Sequence, residues 1–75
     1  MKSYQFFAQI QRDVETGMYI GIIPDLPGAH TQAATLDELN SNLKEVITLC
    51  LEELSDDELA SLPEAVGFQN ILVAV

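Results

Sequence analysis

Met18-Tyr19-Ile20-Gly21-Ile22-Ile23-Pro24-Asp25-Leu26-Pro27-Gly28 is the stretch whose reading decides how this chain folds. Its first half is apolar at almost every position, with Met18, Ile20 and Ile22 alternating with Tyr19, Gly21 and Ile23, which predicts a central strand covered at least in part on both faces. Its second half stops that strand. Each proline lacks a ladder donor and biases its predecessor toward extended geometry, and Gly28 frees the backbone to turn. A sharp bend is expected there, with Asp25 bracing it.

Upstream, Ser3 to Arg12 alternates, with Tyr4, Phe6, Ala8 and Ile10 on one side and Ser3, Gln5, Gln9 and Gln11 on the other, interrupted by Phe7. That period of two predicts a half-buried first strand. Asp13-Val14-Glu15-Thr16-Gly17 has the chemistry of a hairpin loop longer than two residues. Downstream, Ala29 to Ala34 is short and weakly patterned, and its position between the bend and a helix start makes it a third strand at the sheet edge.

Thr35-Leu36-Asp37-Glu38 has the spacing of a capping box, in which Thr35 accepts from the amide of Glu38 and Glu38 reaches back to the amide of Thr35. Leu36, Leu39, Leu43, Val46, Ile47, Cys50, Leu51 and Leu54 then follow in steps of three and four, one stripe of a helix able to cover a sheet. Leu49 falls outside the stripe, and Asp37, Lys44, Glu45, Glu52 and Glu53 form a solvated flank. Ser55-Asp56-Asp57-Glu58 repeats the capping spacing, so the long helix ends near Leu54 and a short helical turn runs to about Ala60. Pro63 closes it. Beyond Gly67, Phe68 to Val75 is apolar on both parities and rich in β-branched residues, which predicts a closing strand.

The fold class is therefore α+β in the order β-β-β-α-β, one domain over residues 1–75. The start is three antiparallel strands, the last strand lies parallel to the first through a right-handed crossover, and the single main helix covers one face. One helix leaves the other face bare, and the reading assigns Phe7, Tyr19, Ile23 and part of the last strand to it. An apolar patch of that kind marks an interface. A domain this short buries only about 60% of its unfolded surface, so self-association into a dimer or larger homo-oligomer is expected, through Phe7, Ile23, Leu49, Val73 and Val75.

Twelve acids against three bases give a net charge of −9. That argues against functions resting on neutralised nucleic-acid phosphates and favours a basic protein partner. Cys50 is the sole cysteine, so there is no internal disulfide and no cysteine cluster for zinc. No apolar stretch approaches the roughly 20 residues that span a bilayer, and Met1-Lys2-Ser3 leads straight into the alternating pattern, so a cytoplasmic protein is expected.

Catalysis finds little support. Metal-assisted hydrolysis needs several converging carboxylates. Asp25 stands in the bend, Asp13 and Glu15 in the hairpin loop, and Asp37 and Glu38 at a helix start, where turn formation and the helix dipole account for them. His30 has no nucleophile or orienting acid near it in sequence, and Cys50 falls on the buried stripe as a small core residue. No enzyme, metal or cofactor is expected. The acids Glu52, Glu53, Asp56, Asp57, Glu58 and Glu64 serve equally as a solubilising surface or as a patch steering a basic partner.

Tyr19 in a hydrophobic strand, Pro24-Asp25-Leu26-Pro27-Gly28, then Thr35-Leu36-Asp37-Glu38-Leu39 and Asn42-Leu43-Lys44-Glu45-Val46 in one helix resemble the HicB antitoxin family, over about Tyr4 to Leu54. The resemblance implies a partly degraded ribonuclease-H-like domain, the antitoxin of a type II toxin-antitoxin system, which binds and blocks HicA, a small basic toxin that cleaves messenger RNA. Ala33-Ala34 stand where many members carry Gly and Asp, and Ala29 where many carry a Cys or a bulkier residue. Many members append a DNA-binding domain; here none is seen by Val75, so direct operator binding is not expected. On this reading Tyr19, Asp25, His30, Glu53 and Asp57 contact the toxin. The rival reading is an orphan oligomeric module of the same kind without a toxin, ahead of a residual nuclease and a DNA-binding regulator.

Overall fold

The structure, a computed structural model, describes residues 4–75. Its elements are β1 (Gln9–Arg12), β2 (Tyr19–Ile22), β3 (His30–Ala33), α1 (Leu36–Glu53) and α2 (Asp56–Ala60). The strands form one antiparallel sheet in the order β1-β2-β3, with β2 central as its doubly apolar sequence predicts. The class is α+β: three antiparallel strands, then a main helix.

The β1–β2 loop is held by its polar side chains. Asp13 accepts from the Glu15 amide at 3.0 Å and from the Thr16 hydroxyl at 3.1 Å, and Thr16 Oγ1 accepts from the Met18 amide at 3.2 Å. The 24–28 bend is built differently. The Leu26 amide donates to Ile23 O, the Ala29 amide to Leu26 O and the Ile23 amide to Ala29 O, all within 3.1 Å, while Gly28 takes φ 84°, which a side chain would resist. The brace expected of Asp25 is absent: no side-chain hydrogen bond involves it among the described residues, and the bend is secured by Leu26, 3% exposed, driven into the core.

That core is Ile23, Leu26, Ala29, Ala33, Leu39 and Leu43, flanked by half-buried Phe6, Ala8, Tyr19 and the later stripe residues of α1. Cys50 belongs to this flank and Leu49 stands out of it at 60% exposure, as the helical spacing predicts. Thr35 caps α1, its hydroxyl accepting from the Glu38 amide at 3.1 Å, but the return bond from Glu38 is not made. The complete capping box is the second one. Ser55 Oγ accepts from the Glu58 amide at 3.1 Å and Glu58 Oε1 accepts from the Ser55 amide at 3.0 Å.

Two further expectations are corrected. The first strand is shorter than its alternation: Ser3 lies outside the described residues, and the ladder begins only at Gln9, paired with Ile22. Opposite the residues before Gln9 the chain has reached Pro24, which has no donor to offer. The closing strand is not formed either. Among the described residues there is no fourth strand and no parallel pairing, so the expected return beside β1 is missing. The chain takes another path. Leu62 packs beside the core, and six residues later the Phe68 ring meets Phe7 edge-on, centroids 5.2 Å apart at 79°. Phe6 lines a groove with Leu43 and Ile47 of α1, whereas Phe7 lines a separate cleft with Pro24, Asp25 and Phe68, so between Leu62 and Phe68 the chain passes from the helix side to the Phe7 side.

Candidate partner-binding surface

Directly opposed residues of an antiparallel sheet project to the same face. The register therefore sorts the sheet into Ile10–Gly21–Thr31 and Arg12–Tyr19–Ala33 on one face, and Gln9–Ile22–His30 and Gln11–Ile20–Gln32 on the other. Leu43 of α1 stands over Gly21, so the first face is the one the helix covers. Tyr19 and Ile23 share the parity of Gly21 and turn toward the helix, contrary to the expectation that they lie bare. Ile23 is 2% exposed and thereby unavailable to a second chain. The reason is steric: Gly21, Ala29 and Ala33 leave a shallow surface on which a helix can settle, whereas the opposite parity offers no such trough.

The uncovered face has half-buried Ile20 and Ile22 at its centre. Gln9 and Gln11 border them on the β1 side and His30 and Gln32 on the β3 side, all four exposed. An apolar middle inside a polar rim is the composition of a protein-binding patch. One end is closed by the Phe7–Phe68 pair, beside a cleft of about 290 Å³ that Pro24, Asp25 and Glu64 also line.

Of the residues singled out in sequence, His30 lies on this face and Asp25, half-buried, stands by its closed end, so the 24–28 bend brings these two to one side of the molecule. Tyr19 is at the far end of β2 on the helix face, with the Arg12 guanidinium 5.9 Å from its ring centroid. Glu53 closes α1 and Asp57 lies in α2, both exposed and separate from the sheet. Phe7 is half-buried against Phe68; Val73 and Val75 are 70% and 122% exposed. Sequence reading overlooked Ile20, Ile22, Gln9, Gln11 and Gln32. The alternate small residues Gly21, Ala29 and Ala33 were the available sign of which parity faces the helix.

The acids of the α1–α2 junction, Glu52, Glu53, Asp56, Asp57 and Glu58, are all exposed. Glu58 is held below its ordinary carboxylate value of 4.5 by the bond from the Ser55 amide and then by the Ser55 hydroxyl. Among the described residues no three His, Cys, Asp or Glu side chains gather as a metal site, and no helix is long and apolar enough to cross a membrane.

Residues 6–72 match the family described as the HicB-like antitoxin of bacterial toxin-antitoxin systems. The chain is 45% identical over 73 residues to a UPF0150 protein of Synechocystis, covering 97% of this chain and all of the other. It is 44% identical over 68 residues to a UPF0150 protein of Thermotoga maritima, covering 91% and 88%. A UPF0150 protein of Archaeoglobus fulgidus is 50% identical over 48 residues, 64% of this chain and 68% of that one. No solved structure matches the chain with significance.

Proposed function

Because this chain belongs to the HicB-like antitoxin family, we propose that it neutralises a small basic toxin of the HicA type by binding it directly and occluding the surface with which that toxin holds messenger RNA. The observation that carries the reading is the uncovered sheet face, an isoleucine centre inside a glutamine and histidine rim, on a chain of net charge −9. A toxin that binds RNA must present cations to phosphates, and those same cations are attracted by this antitoxin's acids. The acidic α1–α2 junction speeds encounter, and the desolvated centre of the sheet face supplies the lasting contact. The chain's own part is steric and electrostatic, without a catalytic step.

The test is co-expression with the small basic product of the adjacent reading frame. The reading expects the two chains to purify together and RNA cleavage by the toxin to stop. Ile22→Lys should break the complex while leaving the circular dichroism of the antitoxin unchanged. A neighbour that does not bind, or stays active when bound, refutes the proposal. A second reading, an oligomeric module without a toxin, is favoured by the exposed apolar residues after Phe68. It predicts that the chain self-associates while a HicA-type ribonuclease in the same tube stays fully active.

A further inference from the structure

Residues 68–75 of this chain, Phe68-Gln69-Asn70-Ile71-Leu72-Val73-Ala74-Val75, are strand-forming in sequence yet join no strand among the described residues, with Phe68 held edge-on against Phe7. Ile71, Leu72, Val73 and Val75 are 70–122% exposed, an apolar cluster that a soluble monomer does not leave in water. The radius of gyration is 14.2 Å, against about 11 Å for a compact chain of this length. Beyond Phe68 every residue of the segment is exposed.

A second part of the chain is also an incomplete strand. Tyr4 to Ala8 continues the alternation into β1 and makes no ladder, and the outer edge of β1 has no backbone partner among the described residues. Just before β1 in the chain, between Tyr4–Ala8 and α1, runs a groove of about 640 Å³ walled by Phe6, Ala8, Leu43, Ile47 and Leu51. An unpaired edge next to an apolar groove is a template for an added strand. Residues 69–75 in strand geometry extend about 24 Å, short enough to lie within the span of Tyr4 to Arg12. One parity of such a strand fills the groove and the other lies level with the open sheet face, which suits a segment apolar on both sides.

We propose that residues 69–75 of one copy of this chain, beyond the Phe68 that stays against its own Phe7, lie along the outer edge of β1 of a second copy, and that the two copies exchange these segments reciprocally to form a dimer. The two unfinished strands then complete each other across the molecules. Gly67 at φ 148° and Pro63 set the path by which the segment leaves its own domain. Two such segments, with the surfaces they cover, bury on the order of the 1,000 Å² or more that a specific interface needs. The exchange is a property of the chain alone and does not depend on the toxin reading.

The experiment has two arms, both on the full chain without a partner. Light scattering after size exclusion should give twice the chain mass, and Leu72→Asp with Val73→Asp should raise the dissociation constant roughly a hundredfold or more, because charges would enter a desolvated strand. Both positions are exposed in the single chain, so folding should survive, as circular dichroism will show. In a Cys50→Ala background, a Gln11→Cys chain mixed with a Val73→Cys chain should be joined by a short bismaleimide far more efficiently than either variant alone. A monomer, an assembly of another size, a dimer indifferent to the Leu72 and Val73 charges, or linkage only between two Val73→Cys chains would each overturn the proposal.

Discussion

Leu43 sits directly over Gly21: a methyl group in place of the glycine hydrogen would stand 2.9 Å from Leu43 Cδ1 and 3.1 Å from Cδ2. The close approach of α1 to the middle of β2 rests on this contact. Both residues are buried, so Leu43 has little room to retreat. Gly21→Ala should cost about 1 kcal/mol and Gly21→Val about 3 kcal/mol through overpacking, despite the better strand propensity of valine. Urea unfolding should show a lowered midpoint with unchanged slope; a valine variant as stable as the parent would mean that the helix does not lie where Leu43 places it.

The same pair shows how far the sequence could be read. The strand order, the hairpin, the two helix starts and the α1 stripe are local patterns of two or 3.6 residues, and Thr35, Ser55 and Leu49 stand where those patterns predict. Which parity of β2 faces the helix is not local: it depends on small residues from two strands meeting one leucine of α1, and apolarity alone puts Tyr19 and Ile23 on the wrong side. The closing strand was misplaced for a related reason. Strand-forming composition in residues 68–75 is real, but the partner that would order them is a question of tertiary or quaternary contact, which periodicity does not carry. His30 lies on the uncovered face and Asp25 beside its closed end, but the isoleucine centre is hidden within a uniformly apolar strand.

Leu39 is 1% exposed, the most deeply buried large side chain of the core. Leu39→Ala removes three carbons from the junction of helix and sheet and should cost about 3 kcal/mol, transfer and cavity together. A chain of 75 residues has a small margin of stability, so a large drop in melting temperature is expected. Leu49→Ala, on the exposed flank of the same helix, serves as control and should change stability by less than about 0.5 kcal/mol.

Glu58 links α2 to pH. Its folded pKa lies below the ordinary 4.5 because the carboxylate accepts from the Ser55 amide and is supported by the Ser55 hydroxyl. A depressed folded pKa stabilises α2 above the unfolded value, and that contribution disappears as pH falls through the folded one. Hydrogen-exchange protection of the Leu59 and Ser61 amides, which bond within α2, should therefore fall as pH drops below about 4.5, with intrinsic exchange corrected for. Glu58→Gln keeps an acceptor for the Ser55 amide and should flatten that dependence, whereas Ser55→Ala should lower protection at every pH.

Glu53 and Asp57 lie on the exposed acidic junction, away from the sheet face that carries Ile20 and Ile22, so on the proposed function the two regions should fail in different ways. Charges at the margin of an interface act before contact, through a field that water and salt screen over about 10 Å at 0.1 M. Glu53→Lys with Asp57→Lys should slow association with a HicA-type toxin about tenfold at low salt, leave dissociation nearly unchanged, and lose most of the effect by 0.5 M salt. His30→Ala on the sheet face should do the opposite, raising the dissociation rate with little dependence on salt, because it removes a contact made only after docking. Stopped-flow association and dissociation rates at two salt concentrations separate the cases. Equal effects of both variants on dissociation would show that the acidic junction is part of the contact itself.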